Sequence, residues 1–390
     1  MANSTLSAAK AAKNDEFYTQ YYDIEREVEA YLDYNPDVFR DKTVLLPCDD
    51  PEWSNFTKYF AQNFERLGLK KLISTSFAPE SKNYKYPVQL SLFETESPQF
   101  DANKTNTHGK IFVLTHDKTG DGRIDIDDLE WKYLEGDGDF RSREVTRLRD
   151  ESDIIVTNPP FSLFRDFLAW IMEANKSFLL IGNKNCITYK ETFPLIKENK
   201  MWVGKTPMSQ DLLFEVPQFF ASELLENGKE GSKYKIVNGK VLGRSTSIWL
   251  TNIEHGRRHQ PLTLMSMDDN LKYSKHKEIK GKESYAHYDN YDAIDIPYTD
   301  AIPNDYDGVM GVPISFLDKY CPEQFEILGM CENEDLYKLK TKIYSTNECK
   351  EAYYDKFGKK GTYDLNASGV LIVDGIREKV YQRILIRKKQ

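Results

Sequence analysis

The chain of 390 residues is poor in cysteine, histidine and long apolar runs, and it has no surplus of positive charge. Its five cysteines, Cys48, Cys186, Cys321, Cys331 and Cys349, are odd in number, far apart and without a Cys-x-x-Cys pair. Neither a disulfide framework nor a zinc knuckle is indicated, which fits a reducing compartment. Of the six histidines only His255 and His259 stand four apart, and no catalytic metal is expected. Apolar runs such as Phe178 to Ile181 are far below membrane-spanning length, and the opening MANSTLSAAKAAKNDEF lacks an apolar leader core. A soluble, unexported, cytoplasmic protein with no membrane partner is expected. The net charge of -9 argues against a binder of nucleic acid driven by bulk charge alone.

What is present is 40% apolar residues, enough for a sizeable core, and an uneven distribution of charge. Residues 1–228 carry 27 basic and 38 acidic side chains, whereas 229–390 carry 26 and 24. Within the second part, 229–282 has 12 basic against 5 acidic residues, 283–337 has 1 against 13, and 338–390 has 13 against 6. Two basic stretches flank an acidic one, an asymmetry able to hide a phosphate-binding face. Taken singly, each lysine-rich stretch also reads as solvated surface.

Short β-rich apolar runs alternate with segments of helical period over the first half. Strands are expected at Thr43 to Cys48, Leu69 to Phe77, Asp153 to Thr157 and Phe178 to Gly182. Helices are expected from about Asn55 to Leu67, over Ser142 to Glu151, and over Ser162 to Ala174 with Ser162 as N-cap. The alternation predicts an α/β fold with a doubly wound, mostly parallel, Rossmann-like sheet, whose ligands gather at the carboxyl ends of the strands. Beyond Lys205 the regularity fades into Tyr-, Asn- and Asp-rich loops, which suggests a flexible N-terminus over 1–14, a first domain over 15–205 with an inserted hairpin at about 105–135, and a second, mixed region over 206–390.

The segment Ser152 to Phe161 places a buried-type strand directly before Asn158-Pro159-Pro160-Phe161. The prolines remove backbone donors and fix φ, which makes a rigid strand-end ledge. Asn158 offers an amide oxygen, Pro159 a carbonyl, and Phe161 a flat face. Two convergent acceptors suit an exocyclic amino group, and accepting both its protons leaves the nitrogen lone pair free to attack while the ring stacks a planar base. A base within a duplex reaches such a pocket only by flipping out. An Asn-Pro turn that merely closes a strand is the plain alternative.

An apolar strand followed by Asn-Pro-Pro-Phe resembles the catalytic motif of amino-group DNA methyltransferases. Several blocks in order, namely 15–25, 48–73, 136–142, SDIIVTNPPFSLFRDFL, 186–204, 288–294, 305–317 and 381–389, resemble the EcoRI-type adenine-specific methyltransferase family nearly end to end. Segments 79–135, 225–247 and 330–380 show no clear match. The resemblance implies S-adenosylmethionine as cofactor, with Phe17, Tyr18 and Thr19 touching its methionine part. The chain has Pro47-Cys48-Asp49-Asp50-Pro51 where the wider superfamily has a glycine-rich loop, and the resemblance makes Cys48, Asp49 and Asp50 candidates for its ammonium or ribose end. It also makes Asp139 and Phe140 of Gly136-Asp-Gly-Asp-Phe140 candidates for its adenine. An ordinary aromatic staple, an Asp-rich turn and a bare Gly-Asp-Gly turn explain the same residues.

Family resemblance places DNA recognition in the second half, with Arg257, Arg258, His259, Lys272, Lys275 and the Arg383 to Lys389 tail as cations for phosphates. Asp117, Thr119, Asp121 and Asp128 have most of the spacing of a calcium loop, but the strand-like Lys110 to His116 upstream favours a plain β-hairpin with a Thr-Gly-Asp-Gly turn. The expected function is therefore site-specific N6 methylation of a flipped adenine in double-stranded DNA, as in restriction-modification or phage self-protection. The enzyme is expected to act as a monomer, apart from any cognate restriction endonuclease, with GAATTC a first guess at the site. Methylation of RNA or of a protein glutamine, or an inactive DNA-binding protein, are the rivals.

Overall fold

The computed structural model describes residues 18–51, 54–78, 98–117, 124, 131–216 and 218–389. These form two compact units, one of residues up to Ile196 with Met201–Gly256, the other of Lys197–Lys200 with Arg257–Gln390.

The first unit starts with β1 (Tyr18–Thr19) and helix α1 (Tyr21–Tyr34), followed by β2 (Thr43–Leu46), α2 (Asn55–Gln62) and β3 (Lys71–Thr75). An antiparallel hairpin of β4 (Lys110–Leu114) and β5 (Trp131–Tyr133) comes next, then α3 (Arg143–Glu151), β6 (Ile154–Thr157), α4 (Phe164–Glu173) and β7 (Ser177–Asn183). The strands β2, β6 and β7 are buried almost throughout, as expected where both faces of a sheet are covered. The unit continues with β8 (Trp202–Val203), β9 (Leu212–Glu215), the hairpin β10 (Tyr234–Val237) and β11 (Lys240–Ser245), and β12 (Ser247–Thr251).

The main sheet has the order β5-β4-β3-β2-β6-β7-β12-β8. Its centre, β3-β2-β6-β7, is parallel, while β4, β5, β12 and β8 are added antiparallel at the edges, so the sheet is mixed and not mostly parallel. The cause is local: β4 returns along β3, and β12 runs back along β7 after a one-residue link from β11. The change of texture near residue 205 falls inside this unit, because β8 and β12 complete its main sheet. In sequence the unit runs on to Gly256. A smaller antiparallel sheet, β1-β9-β11-β10, completes the unit.

The expected long helix after β2 stops at Gln62 and resumes at Phe64, with the Asn63 side chain donating back to the Tyr59 carbonyl (2.9 Å). Ser162 is not an N-cap: it lies in a 3₁₀ turn, Phe161–Leu163, and α4 starts at Phe164 without a side-chain cap. Pro160 sets that turn by accepting the Leu163 N–H (2.9 Å). Of the calcium-loop residues, Asp117 follows β4, while Thr119, Asp121 and Asp128 lie outside the described residues.

In the second unit β13 (Ile294–Asp295) runs parallel to β14 (Met310–Pro313), and the sheet continues β14-β18-β15 antiparallel, with β15 Phe325–Met330 and β18 Arg383–Lys388. A separate hairpin joins β16 (Val370–Val373) to β17 (Ile376–Lys379). The basic tail expected at the end of the chain is therefore an interior strand. Arg383 is buried and donates to Asp295 (2.9 Å), which also accepts the Tyr288 hydroxyl (2.5 Å), and Arg387 lies 3.2 Å from Glu326.

Candidate functional site

Strand order reverses between β2 and β6, since the chain builds outward from β2 to β3 on one side and through β6 to β7 on the other. Ligands of open α/β sheets bind at the carboxyl ends of strands flanking such a switch point. The Pro47 to Pro51 loop and Asn158 to Phe161 leave the sheet at these two ends.

Asp49 ties this edge together. Its carboxylate is 5% exposed and accepts the hydroxyls of Thr157 (2.5 Å) and Ser54 (2.7 Å). Its backbone N–H donates to the Thr75 carbonyl (3.0 Å), and its own carbonyl accepts the Ser74 hydroxyl (2.6 Å). Ser74 in turn shares a hydrogen bond with Thr57 of α2 (2.7 Å), and Thr75 donates to the Pro47 carbonyl (3.1 Å). The ends of β2, β3 and β6 and the start of α2 are thereby held by one buried hydroxyl and carboxylate network. Ser54 also caps α2 through the Phe56 N–H (3.1 Å). Asp50 is half-buried, and its carbonyl accepts the Ser54 N–H (3.0 Å). Cys48 is half-buried.

On the ledge itself Pro159 is buried, while Asn158, Pro160 and Phe161 are half-buried. Phe161 packs on the main core, which fixes the ring and leaves part of it exposed.

The N-terminal block reaches the same neighbourhood. The side chain of Asn55, at the start of α2, donates to the Thr19 carbonyl (2.8 Å). Thr19 Oγ1 and Gln20 Nε2 are buried without a hydrogen-bond partner among the described residues. Buried polar atoms are normally satisfied, so this pair suits a polar ligand. Phe17 lies outside the described residues, and Tyr18 is placed in β1.

The Gly136 to Phe140 block also comes to the carboxyl edge, beside the end of β3. The Ala78 N–H donates to the Asp137 carbonyl (2.7 Å), and Gly109 donates to the Gly136 carbonyl (2.9 Å). Gly138 has φ +79°, and a Cβ there would run into the Ser76 carbonyl, so only glycine lets the loop sit so close to β3. Asp139 forms a two-pronged ion pair with Arg141 (2.6 and 2.9 Å), whose guanidinium holds its carboxyl below the usual carboxylate range. Phe140 is 5% exposed and packs edge-on against Phe167 (5.0 Å) and Trp170 (5.6 Å) of α4, so its ring is chiefly a core element. Asp137, half-buried beside the end of β3, is an acceptor that the sequence pattern does not single out.

The cations expected to meet phosphates divide into two groups. Arg258 is 6% exposed and donates to the Asn199 amide oxygen (2.9 Å), and Arg257 lies 3.4 Å from Asp318. His259 hydrogen bonds Glu323 (2.9 Å). Lys272 and Lys275 are exposed, beside Asp268 (3.9 Å) and Asp300 (2.8 Å). The hydroxyls Ser54, Thr57, Ser74 and Thr157 carry no spacing signature, apart from the position of Ser54 just before a helix. Among the described residues there is no cluster able to hold a metal ion, and no helix is long and apolar enough to cross a membrane.

A profile described as adenine-specific methyltransferase EcoRI matches residues 5–389. The chain is 42% identical over 335 residues to the type II methyltransferase M.EcoRI of Escherichia coli, covering 85% of this chain and 91% of that protein. It is 34% identical over 342 residues to the type II methyltransferase M.MpnI of Mycoplasma pneumoniae, covering 87% and 90%. It is 33% identical over 386 residues to the type II methyltransferase M.MgeORF184P of Mycoplasma genitalium, covering 99% of each. No solved structure matches it significantly.

Proposed function

Since the chain belongs to the adenine-specific methyltransferase EcoRI family, we propose that it transfers a methyl group to the N6 amino group of an adenine flipped out of duplex DNA at the Asn158 to Phe161 ledge. One observation carries this reading: the ledge stands at the strand-order reversal, tied by Thr157 to Asp49. In this reading the sheet is a doubly wound, Rossmann-like core with antiparallel additions.

The side-chain oxygen of Asn158 and the carbonyl of Pro159 accept the two amino protons of the base. That draws the nitrogen lone pair out of ring conjugation and aims it away from the ledge. Phe161 stacks the base and excludes water from its face. Pro160 keeps the backbone stiff, so little reorganisation is needed at the moment of reaction. The buried Asp49 network acts at one remove, holding Asn158 against the neighbouring strand. The amino proton leaves to solvent water after methylation, when the nitrogen has become positively charged and acidic.

S-adenosylmethionine, when bound, supplies an electrophilic methyl on a sulfonium. The donor set suits it: the buried Thr19 hydroxyl and Gln20 amide beside Asn55 would meet its polar amino-acid end, with Phe17 and Tyr18 in the same block. Asp50 and Asp137 are acceptors for its ammonium and ribose hydroxyls, and the Cys48 turn and the Asp139 and Phe140 loop flank them. Asp49 supports this site from below. We further propose that the enzyme works in the cytoplasm as a monomer, separately from any restriction endonuclease, with Lys272 and Lys275 among its phosphate contacts.

The test is labelled methyl transfer to duplex DNA, followed by single-molecule mapping of modified positions. Methyl on adenine N6 at one recurring sequence supports the reading. Methyl on RNA or protein only, or no transfer, overturns it.

A further inference from the structure

We propose that the β10 and β11 hairpin is an arm that grips the phosphates of duplex DNA beside the target adenine, a role that rests on the DNA substrate proposed above. This hairpin lies in the segment 225–247, which the family motifs leave unexplained.

Its base is anchored and its tip is bare. Tyr234 and Leu242 are buried, as is Leu224 on the preceding helix Gln218–Asn227. From Lys235 to Lys240 every residue is exposed, including Ile236 at 48%. Asn238 and Gly239 take φ of +49° and +77°, the paired left-handed values of a tight two-residue turn. Such a turn makes the arm stiff at little entropic expense on binding.

One face of the ribbon is basic. Val237 pairs with Lys240 and Lys235 with Leu242, and directly paired residues share a face, as do alternate residues along a strand. Lys235 and Lys240 therefore point to the same side. Lys233 follows in the same alternation, its carbonyl accepting the Arg244 N–H (2.9 Å). Residues 231–247 contain Lys233, Lys235, Lys240 and Arg244 and no acidic residue. Arg244 is paired with Asp211 at the base. The three lysines form no ion pair among the described residues, so their charge complements a polyanion. The hairpin β16 and β17 also exposes Ile372 and Val373, but there Arg377 lies near Glu348 (3.9 Å) and Glu378 is paired with Lys356.

The arm rises at the catalytic edge. Immediately after β11, Thr246 accepts the Lys184 N–H (2.8 Å) and Ser247 pairs with Asn183, the last residue of β7. Strands β6 and β7 are parallel, so Asn183 and Asn158 mark the same edge of the sheet. Through β11 and β9 the ribbon also joins β1 of the N-terminal block. With strands about 4.8 Å apart, β10 stands about 14 Å from β1.

The test replaces Lys233, Lys235 and Lys240 together by Ala in the full chain and measures DNA affinity across salt concentrations. All three are exposed, so folding should be untouched. The expected result is affinity lower by about tenfold or more at 0.1 M salt and a log-log salt slope shallower by about 2 to 3, near 0.9 per lost phosphate contact. Methyl-donor affinity, and turnover at saturating DNA, should stay within about twofold. Unchanged affinity and slope would overturn the arm. Wild-type protein that binds DNA without methylating it would sink the proposed function, and the arm would still be judged from binding alone.

Discussion

Thr157 donates its hydroxyl to Asp49 across 2.5 Å, so the last residue of β6 is bolted to the loop that follows the first strand of the parallel core. Asn158 is the next residue, and its placement depends on that bolt. Thr157→Val keeps the shape and removes the donor, leaving a buried carboxylate short of one partner. The expected cost is about 1–3 kcal/mol in stability. It should come with a fall in kcat larger than any change in donor affinity. Denaturant melts and steady-state kinetics check it, and wild-type values for both would show that the hydrogen bond positions nothing.

Phe161 packs on the core, and the proposed reading gives it a second task, presenting a face to the base. Phe161→Asp should therefore be slower in methyl transfer than Phe161→Ala, since a carboxylate offers no stacking face and repels phosphates. Equal rates in the two variants, with equal losses of stability, would reduce Phe161 to packing.

Arg258 is predicted to matter for folding and not for DNA. Arg258→Ala removes a buried hydrogen bond to Asn199 and should lower stability by about 1–3 kcal/mol. At a temperature where the variant remains folded, its DNA affinity should match wild type. A large loss of affinity with full stability would restore it to the DNA face.

The Arg141 ion pair makes a pH-dependent contribution. Arg141 depresses the folded-state titration of Asp139, so the stabilisation is present above the unfolded carboxylate value near pH 4 and is lost as pH falls through the depressed folded value. The stability difference between wild type and Arg141→Ala should therefore be steady from pH 5 to 8 and shrink toward pH 2. A difference that grows on acidification would contradict the assignment.

How much of this was legible in the sequence follows from the kind of signal each element leaves. The strands before Cys48 and Asn158, the helix just before β6 and the Asn-Pro-Pro-Phe turn show as apolar runs cut by proline and glycine and stand where the pattern put them, while the helix expected from Asn55 to Leu67 breaks at Asn63. The antiparallel edge formed by β12 and β8 does not show, because a short buried strand such as β12 reads alike in either direction. Arg383 and Arg258 look like solvated cations in a linear string, and only the partners Asp295 and Asn199, brought in from elsewhere in the chain, reveal them as buried. The Ser54, Ser74 and Thr157 hydroxyls converge on Asp49 from three elements, a convergence that no spacing records.

The central claim is that Asn158 holds the target amino group. The most direct measurement is single-turnover methyl transfer to duplex DNA by wild type and Asn158→Ala, with donor affinity determined in parallel. A loss of about two or more orders of magnitude in rate is predicted. Donor affinity should stay within severalfold, since the amide faces the base. Turnover near wild type, or a rate loss fully explained by weaker donor binding, would contradict the account.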